Sequence, residues 1–194
     1  MRYDVVLAGL GGQGLMTMGQ ILATAAMREG RNVSYLPSYS PEVRGGWANC
    51  TVVVSDDAVG SPTVGQPSAL VAMEATAAET HLPTVRPGGL VLVNSTLVRS
   101  PLAREDVRLR QIPASEIAAG LGDDRAANSV MLGAYVTASG IVPLAIVEAA
   151  IREQLQKRPK LVDLNVKALR AGAAFIEGAQ QPAAALGESK GTAP

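Results

Sequence analysis

Residues 3–28, YDVVLAGLGGQGLMTMGQILATAAMR, lead from an apolar run through a glycine-rich turn into a helical pattern. Tyr3 to Ala8 is short and continuously apolar, the mark of a strand buried on both faces. Gly9 to Gly14 forms the turn. From Leu15 to Arg28 the residues Leu15, Met18, Leu22, Ala25 and Ala26 recur at helical spacing, and Gly30 suits a C-terminal cap. Asn32 to Leu36 supplies a second strand. Together these make a β-turn-α-β module, for which geometry favours a right-handed parallel crossover.

The same alternation continues outward. Ser38 to Gly46 is a loop dense in turn formers, and Trp47 to Ser55 is a third strand closed by Asp56 and Asp57. Ser68–Met73, Leu90–Asn94 and Val107–Ile112 read as strands four to six. A short helix falls around Thr76–Leu82, and another at Ser115–Leu121. Helices then dominate, at Ala127–Ser139, Leu144–Gln156 and Leu161–Gly178. The pattern predicts one α/β, Rossmann-like domain over residues 1–178: an open, mostly parallel sheet, helices on both faces and a helical C-terminal region. Residues 179–194, rich in Ala, Gly and Pro without periodicity, are expected to be a disordered tail.

Composition narrows the function. A chain of 194 residues fits one domain, and 47% apolar content with only 3% aromatic suits close-packed helices on a buried sheet. Lys+Arg and Asp+Glu both total 17. A nucleic-acid or anionic-membrane protein would carry a basic excess, so neither partner is expected. Cys50, the one cysteine, allows no internal disulfide and cannot hold an iron–sulfur cluster, which takes four cysteinates. The first strand is expected from Tyr3, close behind Met1, so no signal peptide is expected. The apolar stretch Gly133–Ile151 is broken by Gly140 and Pro143 and carries Glu148, so it reads as two helices rather than a membrane span. A cytoplasmic location is expected.

Gly9, Gly11 and Gly14 make a G-x-G-x-x-G pattern between strand and helix, the context in which such a turn presents amide N–H groups to an anion or nucleotide. The alternative is that these glycines only allow close strand-to-helix packing. NAD is disfavoured, because the second strand ends Ser34-Tyr35-Leu36-Pro37-Ser38 without the acid that would hold a ribose, and Glu29 comes too early. Gly12 and Gln13 depart from the usual pattern, and Gln13 brings an amide to the mouth of the turn. In the next loop Arg44, followed by Gly45 and Gly46, presents a fork of donors to a phosphate or carboxylate. Alternatively Arg44 merely pairs with Glu42 on the surface, an interaction worth about 0–1 kcal/mol. Both loops are expected at the carboxyl edge of the sheet, where such folds bind ligands.

Other residues carry less. His81 is expected to be solvated or structural, Cys50 a small buried residue, and Asn128 a cap at a helix start. Asn94 either meets a ligand or makes an Asx-type turn. Tyr39 and Trp47 are candidate interface anchors. No nucleophile is matched with a base, so independent catalysis is not expected.

The motifs occur in an order that identifies a family resemblance. G-x-G-G-Q-G, then S-Y-x-P-E-x-R-G-G and the strand Trp47–Ser55, then Ala127-Asn128 through Gly133, then Asn165 through Gly172, resemble the gamma subunits of 2-oxoacid:ferredoxin oxidoreductases. The resemblance implies a part of an enzyme that decarboxylates a 2-oxoacid, transfers the acyl group to coenzyme A and reduces ferredoxin. It implies alpha and beta, and in some cases delta, partner subunits that hold thiamine diphosphate with magnesium and the iron–sulfur clusters. No cofactor is expected in this chain. The S-Y-x-P-E-x-R-G-G form is most similar to 2-oxoglutarate enzymes, with pyruvate and branched-chain specificities left open. With two anion-competent loops on one edge of the sheet, Gly9, Gly11, Gly12, Gln13, Gly14, Arg44, Gly45 and Gly46 are expected to face the partner and help contain coenzyme A.

Overall fold

The computed structural model describes residues 1–40 and 46–180. Its elements are β1 (Arg2–Leu10), α1 (Leu15–Arg28), β2 (Asn32–Tyr39), β3 (Trp47–Ser55), β4 (Ala69–Ala72), α2 (Ala75–His81), β5 (Leu90–Asn94), β6 (Arg108–Ile112), α3 (Ala114–Gly120), α4 (Ala127–Ser139), α5 (Leu144–Gln154) and α6 (Pro159–Gln180). Single 3-10 turns follow α2 at Leu82–Thr84 and precede α4 at Asp124–Ala126.

The strands form one sheet in the order β2-β3-β1-β4-β5-β6. β1, β4, β5 and β6 pair in parallel, whereas β3 runs antiparallel to both its neighbours, β1 and β2. The sheet is therefore mostly parallel with one reversed strand. This corrects the simple β1-α1-β2 crossover: β2 does run in the direction of β1, but β3 lies between them. Side chains explain the exchange. Cys50, Val52 and Val54 are fully buried on one face of β3 and Val53 on the other, so β3 needs cover on both sides. β2 is half-exposed and carries Pro37, which cannot donate a ladder bond and is tolerated at an edge. The opposite edge strand, β6, exposes Arg108 and Arg110, charges that discourage further pairing.

Alternate residues feed two cores. Val5 and Leu7 join Cys50, Val52, Val54, Val71 and Leu92 beneath α1 and α3 to α6. Val6, Ala8, Leu70, Val91 and Val93 face α2 and the turn after it. Among the described residues, helices thus cover both faces, five on one and a short one on the other. α4 is the centre of the thick layer, buried from Ala127 to Val136. It lies against α6 with almost no separation: a Cβ on Gly133 would sit 2.7 Å from the Leu169 carbonyl carbon, and one on Gly172 would sit 2.8 Å from that of Val130. The apolar stretch is indeed two helices, α4 ending at Gly140 in the left-handed region (φ 65°) and α5 beginning after Pro143. Among the described residues no helix is long and apolar enough to cross a membrane. α6 runs on to Gln180, so the expected tail loses its first two residues to the helix. The rest of that tail, 181–194, lies outside the described residues.

Candidate functional site

β1 continues two residues beyond the expected strand, so Gly9 and Leu10 pair with Ala48 and Trp47 of β3 rather than starting the turn. Gly9 is required by crowding: a Cβ there would meet the Met73 Cβ at 2.9 Å and run into the Gln13 side chain. The turn proper spans Gly11 to Gly14, with Gly12 at φ 94° and Gly14 at φ 76°, values that favour glycine. Gly14 caps α1 without any side-chain bond, and the first turn of α1 carries no acid. Gln13 holds the turn shut. Its Oε1 accepts from the Leu10 N–H at 2.8 Å and its own N–H donates to the Leu10 carbonyl at 3.3 Å. The side chain is thus turned onto the backbone instead of standing at the mouth.

The second loop meets this turn. The Gly11 N–H donates to the Gly46 carbonyl at 2.8 Å, and the Ser40 N–H donates to the Trp47 carbonyl at 3.0 Å. Both ends of the loop therefore stand at the rim where β1, β2 and β4 end. Arg44 and Gly45 lie outside the described residues.

Chain direction makes this rim a switch point. After β1 the chain passes to α1 on the thick face; after its parallel neighbour β4 it passes to α2 on the other. Open α/β sheets bind ligands in the crevice that such a divergence leaves. Here a hollow of about 190 Å³ opens between Gly12, Gln13, Met73, Asn94 and Ser115. A second of about 500 Å³ lies on the α2 side, walled by Leu10, Trp47, Asn49, Ala77, Thr80 and His81.

Asn94 is fully buried at the end of β5. Its Nδ2 donates to Ser115 Oγ at 2.9 Å, its Oδ1 accepts from the Ser115 N–H at 3.3 Å, and its backbone carbonyl accepts from Leu97 and Val98. The side chain therefore makes no Asx-type turn; it ties the end of β5 to the start of α3, and only the backbone carbonyl closes the local turn. Asn128, expected as a cap-like residue at a helix start, accepts the Ser129 N–H of the first turn on its Oδ1 at 2.8 Å and also reaches beyond its own helix. It is the second residue of α4, and its Nδ2 reaches the Gly14 carbonyl at 3.2 Å. A Cβ on Gly14 would collide with that amide. Ser129 Oγ continues the chain by donating to Asn165 Oδ1 at 2.6 Å, and Asn165 Nδ2 donates to the Leu161 carbonyl at 2.7 Å. Buried polar groups must find partners, and these link the glycine turn through α4 to α6. Sequence reasoning missed the link; its signal was a pair of asparagines inside otherwise apolar helical patterns.

His81 closes α2, half-buried against the larger hollow, and burial holds its pKa below the usual histidine range. Cys50 is buried, with its thiol pushed up to about 12 by desolvation, which leaves it a packing residue. Tyr39 and Trp47 are exposed beside the loop. Among the described residues no three His, Cys, Asp or Glu side chains are grouped to hold a metal ion.

A braced glycine turn at the switch point of a two-faced, mostly parallel sheet defines a Rossmann-like domain. Residues 4–175 match the family model described as pyruvate ferredoxin/flavodoxin oxidoreductase, and the chain belongs to that family. It is 43% identical over 171 residues to the ketoisovalerate oxidoreductase subunit VorA of Methanothermobacter marburgensis, covering 87% of this chain but 35% of that one. The chain thus spans about a third of the length of that relative. The 2-oxoglutarate synthase subunit KorC of the same organism is 34% identical over 188 residues, covering 93% of this chain and 100% of its own length. The gamma subunit of a keto/oxoacid ferredoxin oxidoreductase from Geobacter sulfurreducens superposes with a TM-score of 0.79 at 31% identity, covering 91% of this chain and 99% of the other.

Proposed function

We propose that the chain is the gamma-type component of a cytoplasmic 2-oxoacid:ferredoxin oxidoreductase. That enzyme oxidatively decarboxylates a 2-oxoacid, forms the acyl-coenzyme A and passes the electrons to ferredoxin. Thiamine diphosphate with magnesium, and the iron–sulfur clusters, belong to alpha and beta partners, with delta where present; this chain is inactive alone. The observation that carries the reading is the end-to-end likeness to KorC, supported by the gamma subunit that shares the fold.

The glycine turn (Gly9, Gly11, Gly12, Gln13, Gly14) and the loop bearing Arg44, Gly45 and Gly46 form the wall that faces the partner and helps contain coenzyme A. The Gly11–Gly46 hydrogen bond supports this, because it brings the turn and the loop to one rim. Phosphate or carboxylate groups would meet backbone N–H groups and the Arg44 guanidinium there. For the 2-oxoacid, the S-Y-x-P-E-x-R-G-G motif favours 2-oxoglutarate, while the higher identity to VorA favours the branched-chain 2-ketoisovalerate. Affinity purification of the tagged chain from its host tests the assignment. Co-elution with subunits carrying iron and thiamine diphosphate, and coenzyme A-dependent ferredoxin reduction with one of these 2-oxoacids, is expected. A solitary chain that is catalytically active without partners would refute it.

A further inference from the structure

In strand register Leu10 faces Trp47, and Leu36 faces Thr51, all on the side of the sheet that α2 covers. α2 packs on β1 and β4 and stops there. Among the described residues no helix covers that face over β3 and β2, which leaves Leu10 37% and Trp47 53% exposed at its upper corner and Leu36 38% exposed four residues further along the ladder. Between this corner and α2 lies the 500 Å³ hollow, large enough for one or two bulky side chains. Its charged or titratable groups are the Glu74 carboxylate and His81. Both Glu74 carboxylate oxygens accept from the first turn of α2, at 2.8 Å from the Thr76 N–H and 2.6 Å from the Ala77 N–H. Asn49, Thr76 and Thr80 add neutral hydrogen-bonding groups.

What fills such a socket follows from two facts. Largely apolar hollows rimmed by an aromatic residue accept apolar anchors, and here the Glu74 carboxylate adds repulsion against an acidic group. The same domain also makes up about a third of one relative's chain and the whole of another's. A domain that works both tethered and separate needs a non-covalent face strong enough to replace the tether. We propose that the Leu10–Trp47 corner and its hollow are that face, taking a segment of the larger oxidoreductase polypeptide led by an aromatic or branched aliphatic side chain and bringing no acidic group into the hollow. This rests on the function proposed above and adds where, and with what chemistry, the partner docks.

Trp47 is the only tryptophan in the chain, so it reports on its own burial. The full chain is labelled with 5-fluorotryptophan, and its fluorine resonance is followed alone and after assembly with unlabelled partner subunits. A solvent isotope shift present in the free chain and lost on assembly is expected. Leu10→Glu is expected to weaken assembly at least tenfold with the free chain's melting temperature unchanged, whereas Met27→Glu, exposed at the far end of α1, leaves assembly unaltered. Assembly with Trp47 still open to solvent, or indifferent to Leu10→Glu, overturns this inference and leaves the proposed function standing. A Trp47 already shielded in a self-associated free chain assigns the corner to a second copy, and also overturns it. Failure to assemble with any thiamine- and iron-bearing subunit overturns the parent reading.

Discussion

Adding one methyl group between α4 and α6 should cost more than any surface change in this protein. In Gly133→Ala the new Cβ would lie 2.7 Å from the Leu169 carbonyl carbon and nearer still to its oxygen. Comfortable carbon–carbon separation is about 3.5–4.0 Å, so the helices must part by roughly 1 Å along their crossing. α4 is buried on all sides and cannot yield towards solvent. Overpacking of that kind costs about 1–3 kcal/mol, and each close Cα–H···O approach broken as the helices part adds about 0.5–1 kcal/mol. The higher helix propensity of alanine returns about 1 kcal/mol. The net loss is about 0.5–3 kcal/mol, which at about 2–4 °C per kcal/mol lowers the melting temperature by roughly 1–12 °C. Gly172→Ala, against the Val130 carbonyl, should behave alike, and the double variant should lose less than the sum because one separation relieves both. Gly178→Ala is the control. It lies in the same helix, and among the described residues nothing stands within 4 Å of the new Cβ, so it should be neutral or stabilising by up to about 1 kcal/mol. Thermal unfolding followed by circular dichroism ranks the four variants. A Gly133→Ala protein as stable as wild type would refute the close-approach argument.

Further outcomes rest on other parts of the molecule. Asn128→Ala removes the bond to the Gly14 carbonyl and should lower stability by about 1–3 kcal/mol, read by chemical denaturation. His81 has a folded pKa below its unfolded value, so the unfolded chain takes up the proton first. Its contribution is present above about pH 6.5 and lost as pH falls below it; the fall between pH 6.5 and 5 should be shallower in His81→Asn. Cys50, at a pKa of about 12, should resist a thiol-specific reagent at neutral pH until the protein unfolds. If Arg44 meets an anionic group of coenzyme A, Arg44→Ala in the assembled enzyme should raise the KM for it about 10–100-fold, the loss of about 1.5–3 kcal/mol from a charged hydrogen bond.

Much of the fold was legible because the signals were local. β3 and β5 and helices α1 and α4 fall where apolar periodicity put them, since burial on both faces and a 3.6-residue stripe are written into short windows. What periodicity cannot carry is order across the sheet. Nothing within residues 3–36 says that β3 will enter between β1 and β2; only the two-sided burial of Val53 beside Cys50, Val52 and Val54, and the edge character of Pro37, decide it. The glycines of the turn were legible as glycines, but the partners that require them were not. Met73 crowds Gly9 and Asn128 crowds Gly14 from 64 and 114 positions along the chain, distances only the fold spans.

The interleaved strand order also bears on how the chain is made. β1 sits in mid-sheet, yet both strands that pair with it, β3 and β4, are translated later, the second not complete until Ala72. At about 5–20 residues per second, synthesis leaves one side of β1 unpaired for roughly 3–12 s. A nascent chain with bare Val5, Val6 and Leu7 for that long is a natural client for a ribosome-associated chaperone.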